Sequence, residues 1–321
     1  MKNSTKIILI VALGCILAGG AIFCLSMRSQ GWDFGMLGGE KGETKTFEIT
    51  ESFRNISISA DIEQIALRPS EDGKCTVICT EKEKETHTVS VQDGTLAIQR
   101  VDLRKWYEHI SLFSFGAETI TVYLPQREYA ALSIEDSTGD ISIPADFAFD
   151  SIELRLDTGD ADCRASVSGL LRIQTDTGDI DLEGLRAGEL DLAVSTGRIG
   201  VRSVGCTGNI GVRVSTGKTN LSDVTCRSLS STGDTGDITL ENVLASETIS
   251  VNRTTGDVRF VHAEAQELTI ETDTGKVTGS LRSAKVFIAR SDTGRIDVPE
   301  TTSGGTCRIT TDTGDIHIEI E

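Results

Sequence analysis

The stretch TDTGDI, residues 175–180, recurs in close variants through most of this 321-residue chain. Each copy contains a Thr-Gly pair, and successive glycines are 19 or 20 residues apart. A fixed period of this size is typical of a solenoid, in which each coil buries its apolar face against its neighbours. The ten corner glycines are Gly139, Gly159, Gly178, Gly197, Gly217, Gly236, Gly256, Gly275, Gly294 and Gly314.

Apolar residues recur at fixed distances from each glycine. They lie seven and five residues before it, as at Leu171 and Ile173, and two and four after it, as at Ile180 and Leu182. This alternation predicts two short strands per coil and an all-β solenoid of about ten coils. Antiparallel hairpins turning at each DTGD would give the same inward pattern. Parallel stacking is favoured because it explains why corresponding positions agree between coils.

The aspartates that flank the glycine suggest a structural corner. An aspartate two residues before the glycine predicts an Asx turn, with the glycine at positive φ where the chain reverses. Serine or threonine fills the same position in the other coils. These turn aspartates are Asp157, Asp176, Asp234, Asp273, Asp292 and Asp312.

A second carboxylate follows the glycine in six of the ten coils. Stacked corners would line these carboxylates up along one edge, as in acidic loops that bind calcium. Arg198, Lys218, Lys276 and Arg295 interrupt this acidic column, and the first aspartate is replaceable. The pattern therefore favours a structural role, and a calcium-stabilised spacer is the alternative.

The N-terminus predicts a membrane anchor. Residues 7–27 form an uncharged, mainly apolar run of about the ~20 residues that span a bilayer. A cleaved signal peptide is the alternative, but the apolar run is longer than such peptides usually have. Lys2 and Lys6 place the N-terminus in the cytoplasm by the positive-inside rule, and the remaining chain outside. We expect residues 1–28 to comprise the cytoplasmic start and one transmembrane helix, and residues 29–43 a flexible linker.

One segment interrupts the repeats. Residues 104–118, RKWYEHISLFSFGAE, concentrate aromatic residues in a chain that is only 5% aromatic. We expect residues 44–130 to form an N-terminal β region that caps the regular repeats of residues 131–321. The insertion is either part of this cap or an exposed loop for a partner or the membrane interface. Its aromatic residues are Trp106, Tyr107, Phe113 and Phe115.

Other reactive side chains suggest no catalytic, cofactor or metal site. The four histidines are scattered, without the spacing of metal ligands or a neighbouring nucleophile. Cys206 and Cys226 lie at equivalent positions in adjacent coils, so a disulfide between them is a candidate in an oxidising exterior. The net charge of -18 argues against nucleic-acid binding.

The membrane segment, the run TITVYLP at residues 119–125 and the successive DTGDI corners resemble the bacterial putative-adhesin family. This is a family of membrane-anchored β-strand-repeat proteins with a domain of unknown function. The resemblance covers about residues 44–321 and implies a wound β-solenoid in the bacterial envelope, without catalytic residues.

The sequence thus predicts a non-enzymatic, membrane-tethered extracytoplasmic solenoid. It would offer an interaction surface to an envelope or cell-surface protein or glycan, for adhesion or for envelope sensing and regulation. A carbohydrate-acting enzyme on the same fold is the third hypothesis, but its spaced carboxylates would lie in a cleft rather than at a repeated corner.

Overall fold

A computed structural model describes residues 12–21, 24, 28, 42–104 and 118–321. Residues 12–21 are helical. Across these described positions, no helix has both the length and the apolarity required to cross a bilayer. From residue 42 onward, the described chain is built of β-strands and the turns between them.

Twenty-five strands make up the described part of the β domain. In chain order they are β1 (Glu43–Ile49), β2 (Asn55–Ser59), β3 (Glu63–Pro69), β4 (Cys75–Glu81), β5 (Glu85–Gln92), β6 (Thr95–Asp102), β7 (Glu118–Leu124), β8 (Glu128–Thr138), β9 (Ile141–Ile143), β10 (Ala148–Thr158), β11 (Ala161–Cys163), β12 (Ser166–Thr177), β13 (Ile180–Glu183), β14 (Arg186–Thr196), β15 (Ile199–Cys206), β16 (Asn209–Thr216), β17 (Thr219–Thr235), β18 (Ile238–Thr255), β19 (Val258–Ala263), β20 (Glu267–Thr274), β21 (Val277–Leu281), β22 (Lys285–Thr293), β23 (Ile296–Asp297), β24 (Gly305–Thr313) and β25 (Ile316–Ile320).

The strands stack in parallel, coil on coil. Before the corner, β8, β10, β12 and β14 pair in register, so that Ile173 lies between Leu154 and Leu192. After the corner, β9, β11, β13 and β15 form a second parallel ladder. This arrangement confirms the all-β solenoid of about ten coils, and the alternative of antiparallel hairpins is wrong.

The N-terminal end is closed by antiparallel strands. The parallel stack extends beyond β8 and β9 to β2 and β3, which pair with them. Next to them, β6 pairs with β2 and β7 with β3, so β6 and β7 are the two strands of one further coil. Strands β5, β4 and β1 then add in antiparallel fashion. Their reversed direction ends the solenoid at this end.

The last two coils are stacked out of chain order. Strand β24 pairs with β20 on one side and with β22 on the other. Likewise, β25 lies between β21 and β23. The chain therefore skips one coil position at β22 and returns to fill it with β24, which leaves β22 and β23 as the outermost coil.

The core is one continuous apolar column along the solenoid. Inward-pointing side chains from Phe53 to Ile318 form a single buried cluster. Burial of this column is the main favourable contribution to folding, because no coil can cover its apolar face alone.

Candidate interaction surface

The corner glycines form a ladder of close backbone contacts. A β-carbon placed on Gly178 would lie 2.0 Å from the carbonyl oxygen of Gly159, one coil earlier. The same collision recurs at Gly314, 1.9 Å from the oxygen of Gly275, which follows the spatial order of the coils. Gly178 also has a φ of +144°, a conformation that residues with a β-carbon rarely adopt. Glycine is thus required because stacked corners touch backbone to backbone.

The aspartates before the glycine do not make the predicted Asx turn. Such a turn would use the amide of Gly178 to bond Asp176, but this amide donates to the carbonyl of Thr196 in the next coil at 3.0 Å. All six of Asp157, Asp176, Asp234, Asp273, Asp292 and Asp312 are exposed. The backbone hydrogen bond between coils uses the amide that the Asx turn would need as its donor.

The aspartate after the glycine has the bonding role instead. The Asp160 carboxylate accepts the backbone amide of Asp179 at 2.7 Å, and Asp179 accepts that of Arg198 at 2.7 Å. Asp257 accepts the amide of Lys276 in the same way at 2.8 Å. This carboxylate therefore links one coil to the next through a peptide amide that the strand ladder leaves free.

A polar trench opens on the outer face of β12, β14, β16, β17 and β18. Its volume is about 550 Å³. The small residues Gly211, Ser230 and Ser250 line part of it, and Leu170 also belongs to the lining. A β-carbon added to Gly211 would lie 3.8 Å from its nearest neighbour, the carbonyl oxygen of Leu190, so this position accepts a β-carbon without a clash. The trench can therefore hold part of an extended ligand against the strands.

Charged side chains of both signs line the trench. Asp191 binds Arg172 at 2.9 Å and Arg213 at 2.6 Å, which holds both guanidinium groups along its rim. Arg227 donates to the amide oxygen of Asn209 at 3.1 Å rather than to a carboxylate. The Arg227 charge is thus available to an incoming acceptor. A surface of this kind binds polar ligands through several oriented hydrogen bonds.

The N-terminal cap encloses a buried charge cluster of Glu63, Glu81, Glu85, His87, Arg100 and Glu118. His87 Nε2 lies 3.2 Å from Glu63, and the His87 backbone amide donates to Glu81 at 2.8 Å. Arg100 contacts Glu63 at 3.1 Å and also binds Glu85. Lys82 binds Glu118 at the edge of this cluster. Ion pairs therefore join the strands of the cap to one another.

Two carboxyl groups at this end have opposite shifts in pKa. Burial disfavours ionised Glu63, but hydrogen bonds from His87 and from the amides of Asp61 and Ile62, with the charge of Arg100, outweigh it and lower the Glu63 pKa to about 2. Burial and the neighbouring Glu63 charge raise the pKa of Asp136 to about 7. Neither carboxyl oxygen of Asp136 has a hydrogen-bond partner.

The predicted aromatic loop residues Trp106, Tyr107, Phe113 and Phe115 lie outside the described residues. The residues at the two ends of the insertion, Arg104 and Glu118, are nevertheless among the described residues. Arg104 binds Glu85 at 2.7 Å, and Glu118 binds Lys82. The insertion therefore starts and finishes at the buried charge cluster, at the position where other coils have their DTGD corner.

Cys206 and Cys226 occupy adjacent coils, as predicted, but both are free thiols in this structure. The sulfur of Cys206 points to the carbonyl oxygens of Gly188 and Asn209, at 3.5 and 3.6 Å. Gly188 lies in the preceding coil, and Cys226 lies in the following one. Burial raises the pKa of Cys226 to about 12, which disfavours its reactive thiolate.

Within the described residues, no three or more His, Cys, Asp or Glu side chains are grouped so that they could hold a metal ion. His317 contacts Asp297 at 2.9 Å on the exposed face, and its hydrogen bond to this carboxylate raises its pKa. The carboxylates that follow the glycine, such as those of Asp160, Asp179 and Asp257, are directed at backbone amides. Their geometry is that of structural acceptors.

The sequence profile of the family described as Toastrack DUF4097 matches residues 53–213 and 207–321. The chain belongs to the Toastrack DUF4097 family. The matched ranges include strands β2 to β25, and thus the antiparallel strands β4 and β5 of the cap as well as the parallel coils, whereas β1 precedes them. The Toastrack domain of this chain is therefore one unit in which the cap and the repeats share a core.

Similar solved structures come from bacteria. A putative adhesin from Parabacteroides distasonis is 13% identical, with a TM-score of 0.48 and coverage of 88% of this chain and 99% of that one. A putative lipid binding protein from the same species is 15% identical, with a TM-score of 0.46 and coverage of 88% and 98%. A putative adhesin from Bacteroides fragilis is 16% identical, with a TM-score of 0.43 and the same coverage. At these values the likeness carries no argument about a ligand. No curated protein matches the Toastrack chain.

Sequence reasoning missed both the trench and the buried charge cluster. The cluster residues are spread from Glu63 to Glu118 without a repeating interval, so only the cap topology brings them together. The trench had a weak signal in the sequence. Gly211 replaces the larger Arg172 and Asp191 at the same outward position of adjacent coils.

Proposed function

We propose that this chain is a membrane-tethered extracytoplasmic solenoid that binds a polar protein segment or glycan of the cell envelope through the outer-face trench, without catalysis. The observation that carries the proposal is the combination of an open trench at Gly211 with the oriented charges of Arg172, Asp191 and Arg213. Because the coils are fixed to one another by continuous ladders, these side chains are held in place before a ligand arrives. Such preorganisation lowers the entropic cost of binding.

The tether is supported by the N-terminal sequence. The run from Ile7 to Met27 carries no charged residue, and basic Lys2 and Lys6 precede it. In the helical residues 12–21, Ile16 and Leu17 are 70% and 65% exposed, so no part of the described protein covers them. A reporter fused after Glu321 is expected to be active outside the cytoplasm. Activity inside the cytoplasm would refute this topology.

A steric block at the trench tests the binding surface. We expect Gly211→Trp to fold normally, because the nearest backbone and side-chain atoms leave room for a β-carbon, and to lose binding because the indole fills the trench. Gly205→Trp is the matched control. Gly205 is another outward glycine, at which an added β-carbon would lie 3.7 Å from Thr225 Oγ1, and it is absent from the lining of the trench.

Binding is measured with the immobilised full chain and two separate fractions of the envelope, one of proteins and one of polysaccharides. The proposal predicts saturable binding from one fraction, weakened at least about tenfold in Gly211→Trp, which corresponds to about 1.4 kcal/mol, and unchanged in Gly205→Trp. Equal binding by the two variants would exclude the trench as the binding surface.

A further inference from the structure

The outermost coil at the C-terminal end leaves two strand edges open. Among the described strands, β22 pairs only with β24, and β23 pairs only with β25. The opposite edges of β22 and β23 therefore present unpaired backbone groups. An open edge of this kind is a template for pairing with another strand. The N-terminal end also has edge strands, since among the described strands β1 pairs only with β4 and β5 only with β6, but β1 carries the charged residues Glu43, Lys45 and Glu48.

Strand β22 is also apolar on both faces. Val286 and Ile288 point outward and are 37% and 44% exposed. Phe287 and Ala289 point inward and are only partly buried, since no further coil covers them. In the adjacent coil, the outward position equivalent to Ile288 is occupied by Arg308. A strand that is apolar on both faces is typical of one covered on both sides, so β22 differs from the adjacent internal strand β24 at this outward position.

The charges of the terminal coil allow a second copy to approach it. Residues 282–300 contain four basic and three acidic residues, whereas the whole chain has a net charge of -18. Two copies would repel each other along their acidic sides, but not at this tip. On β22 itself, Arg290 and Asp292 form an ion pair with each other at 3.0 Å, so the exposed strand presents no unbalanced charge to a second copy.

We propose that the terminal coil is a self-association surface, at which β22 of two copies pair edge to edge in antiparallel orientation. The contact is isologous, so it closes at a dimer and does not propagate into a filament. It pairs the open strand edge and places the outward Val286 and Ile288 of each copy beside those of its partner, which shields part of their exposed surface. The two N-terminal ends then lie at opposite ends of a rod on the order of 100 Å long. Joined in this way, two copies could link facing membranes. This consequence rests on the membrane tether proposed above, but the dimer itself does not depend on the tether.

The dimer is tested by the mass of the full chain in detergent over roughly a hundredfold range of concentration. The wild type is expected to pass from monomer to dimer. The double variant Val286→Glu, Ile288→Arg is expected to stay monomeric with an unchanged circular dichroism spectrum, because arginine already occupies the position next to Ile288 at Arg308. Ile62→Arg is the matched control. Ile62 is 37% exposed at the opposite end of the solenoid, and its replacement should leave the dimer intact.

Cross-linking locates the contact. In a Cys15→Ser, Cys24→Ser background, the six remaining cysteines are buried. Arg290→Cys in this background should give a covalent dimer with a short bis-maleimide, and Glu71→Cys at the cap should not. A wild type that is monomeric at every concentration overturns the proposal. So does a dimer that survives the double substitution, one that cross-links as well at Glu71→Cys as at Arg290→Cys, or a ladder of higher oligomers.

Discussion

Replacing Gly178 with alanine tests whether close backbone stacking sets the repeat. The new β-carbon would lie 2.0 Å from the Gly159 oxygen, and a backbone oxygen cannot move aside as a flexible side chain can. Two coils must therefore separate at this corner. Their separation weakens the bond from the Gly159 amide to Thr177, now 2.9 Å, and the bond from the Asp179 amide to Asp160, now 2.7 Å.

The expected loss of stability follows from these contacts. A φ of +144° costs a residue with a β-carbon about 1–3 kcal/mol. Each weakened hydrogen bond contributes about 0.5–1.5 kcal/mol. Gly178→Ala should therefore lower the free energy of unfolding by about 2–6 kcal/mol. Valine at this position adds a branched side chain and should be worse.

Two other glycines separate the causes of this loss. Gly184 has a φ of +67°, and a β-carbon added to it would have no neighbour within 4 Å, so Gly184→Ala measures backbone strain alone, about 1–2 kcal/mol. Gly275 is outside the positive-φ region, yet its β-carbon would lie 1.9 Å from the Gly256 oxygen. Gly275→Ala therefore measures the collision alone.

Urea unfolding of the full chain, followed by circular dichroism, gives the three free energies on one scale. Gly178→Ala should be the most destabilising variant, and Gly275→Ala should clearly exceed the ±0.5 kcal/mol of an ordinary surface substitution. If Gly275→Ala stays within that range, the ladder of corner contacts does not explain the glycines.

Three further predictions concern the aspartates that flank the corner glycine, the thiols and the buried carboxyl group of Asp136. Asp160→Ala should destabilise the fold by about 1 kcal/mol and Asp157→Ala by a few tenths. A chelator should change the melting temperature of neither variant. A shift of many degrees when chelator is added to the wild type, lost in Asp160→Ala, would instead support the calcium-stabilised spacer. Denatured, unreduced protein should titrate eight thiols, because Cys206 and Cys226 are free, and a titre of six would show that they are bonded. The folded Asp136 carboxyl keeps its proton up to about pH 7, whereas the unfolded one loses it near pH 3.8, so stability falls as the pH rises between these values. Asp136→Asn should therefore be more stable than the wild type at pH 8, by up to about 4 kcal/mol, and this difference in stability should shrink towards pH 4. A difference that does not depend on pH would contradict a raised pKa at Asp136.

The structure of a single coil could be predicted from the sequence because the residue pattern that specifies it is local and repeated. Leu171, Ile173, Ile180 and Leu182 alternate around one glycine, and the same spacing returns in every coil. It also identified the corner, but assigned the hydrogen bond to Asp176 rather than to the aspartate after the glycine. Which carboxylate binds depends on which amide the neighbouring coil has already paired, and this is a property of stacking.

The exchange of the last two coils was not readable from the sequence. The 19- and 20-residue steps continue through Gly294 and Gly314 without a break, so period alone predicts stacking in chain order. The outward apolar residues Val286 and Ile288 are the local sign that this coil differs. The buried charge cluster was missed for a related reason, since its members come together only when the antiparallel cap strands close.

The most direct test of the trench as the binding surface is photocross-linking on intact cells. A benzophenone amino acid placed at Gly211 lies in the trench, whereas the same residue at Gly205 lies outside it. Binding in the trench predicts a discrete covalent adduct with an envelope protein or glycan from position 211 and none from position 205. Equal labelling at both positions, or no adduct at position 211, would contradict it.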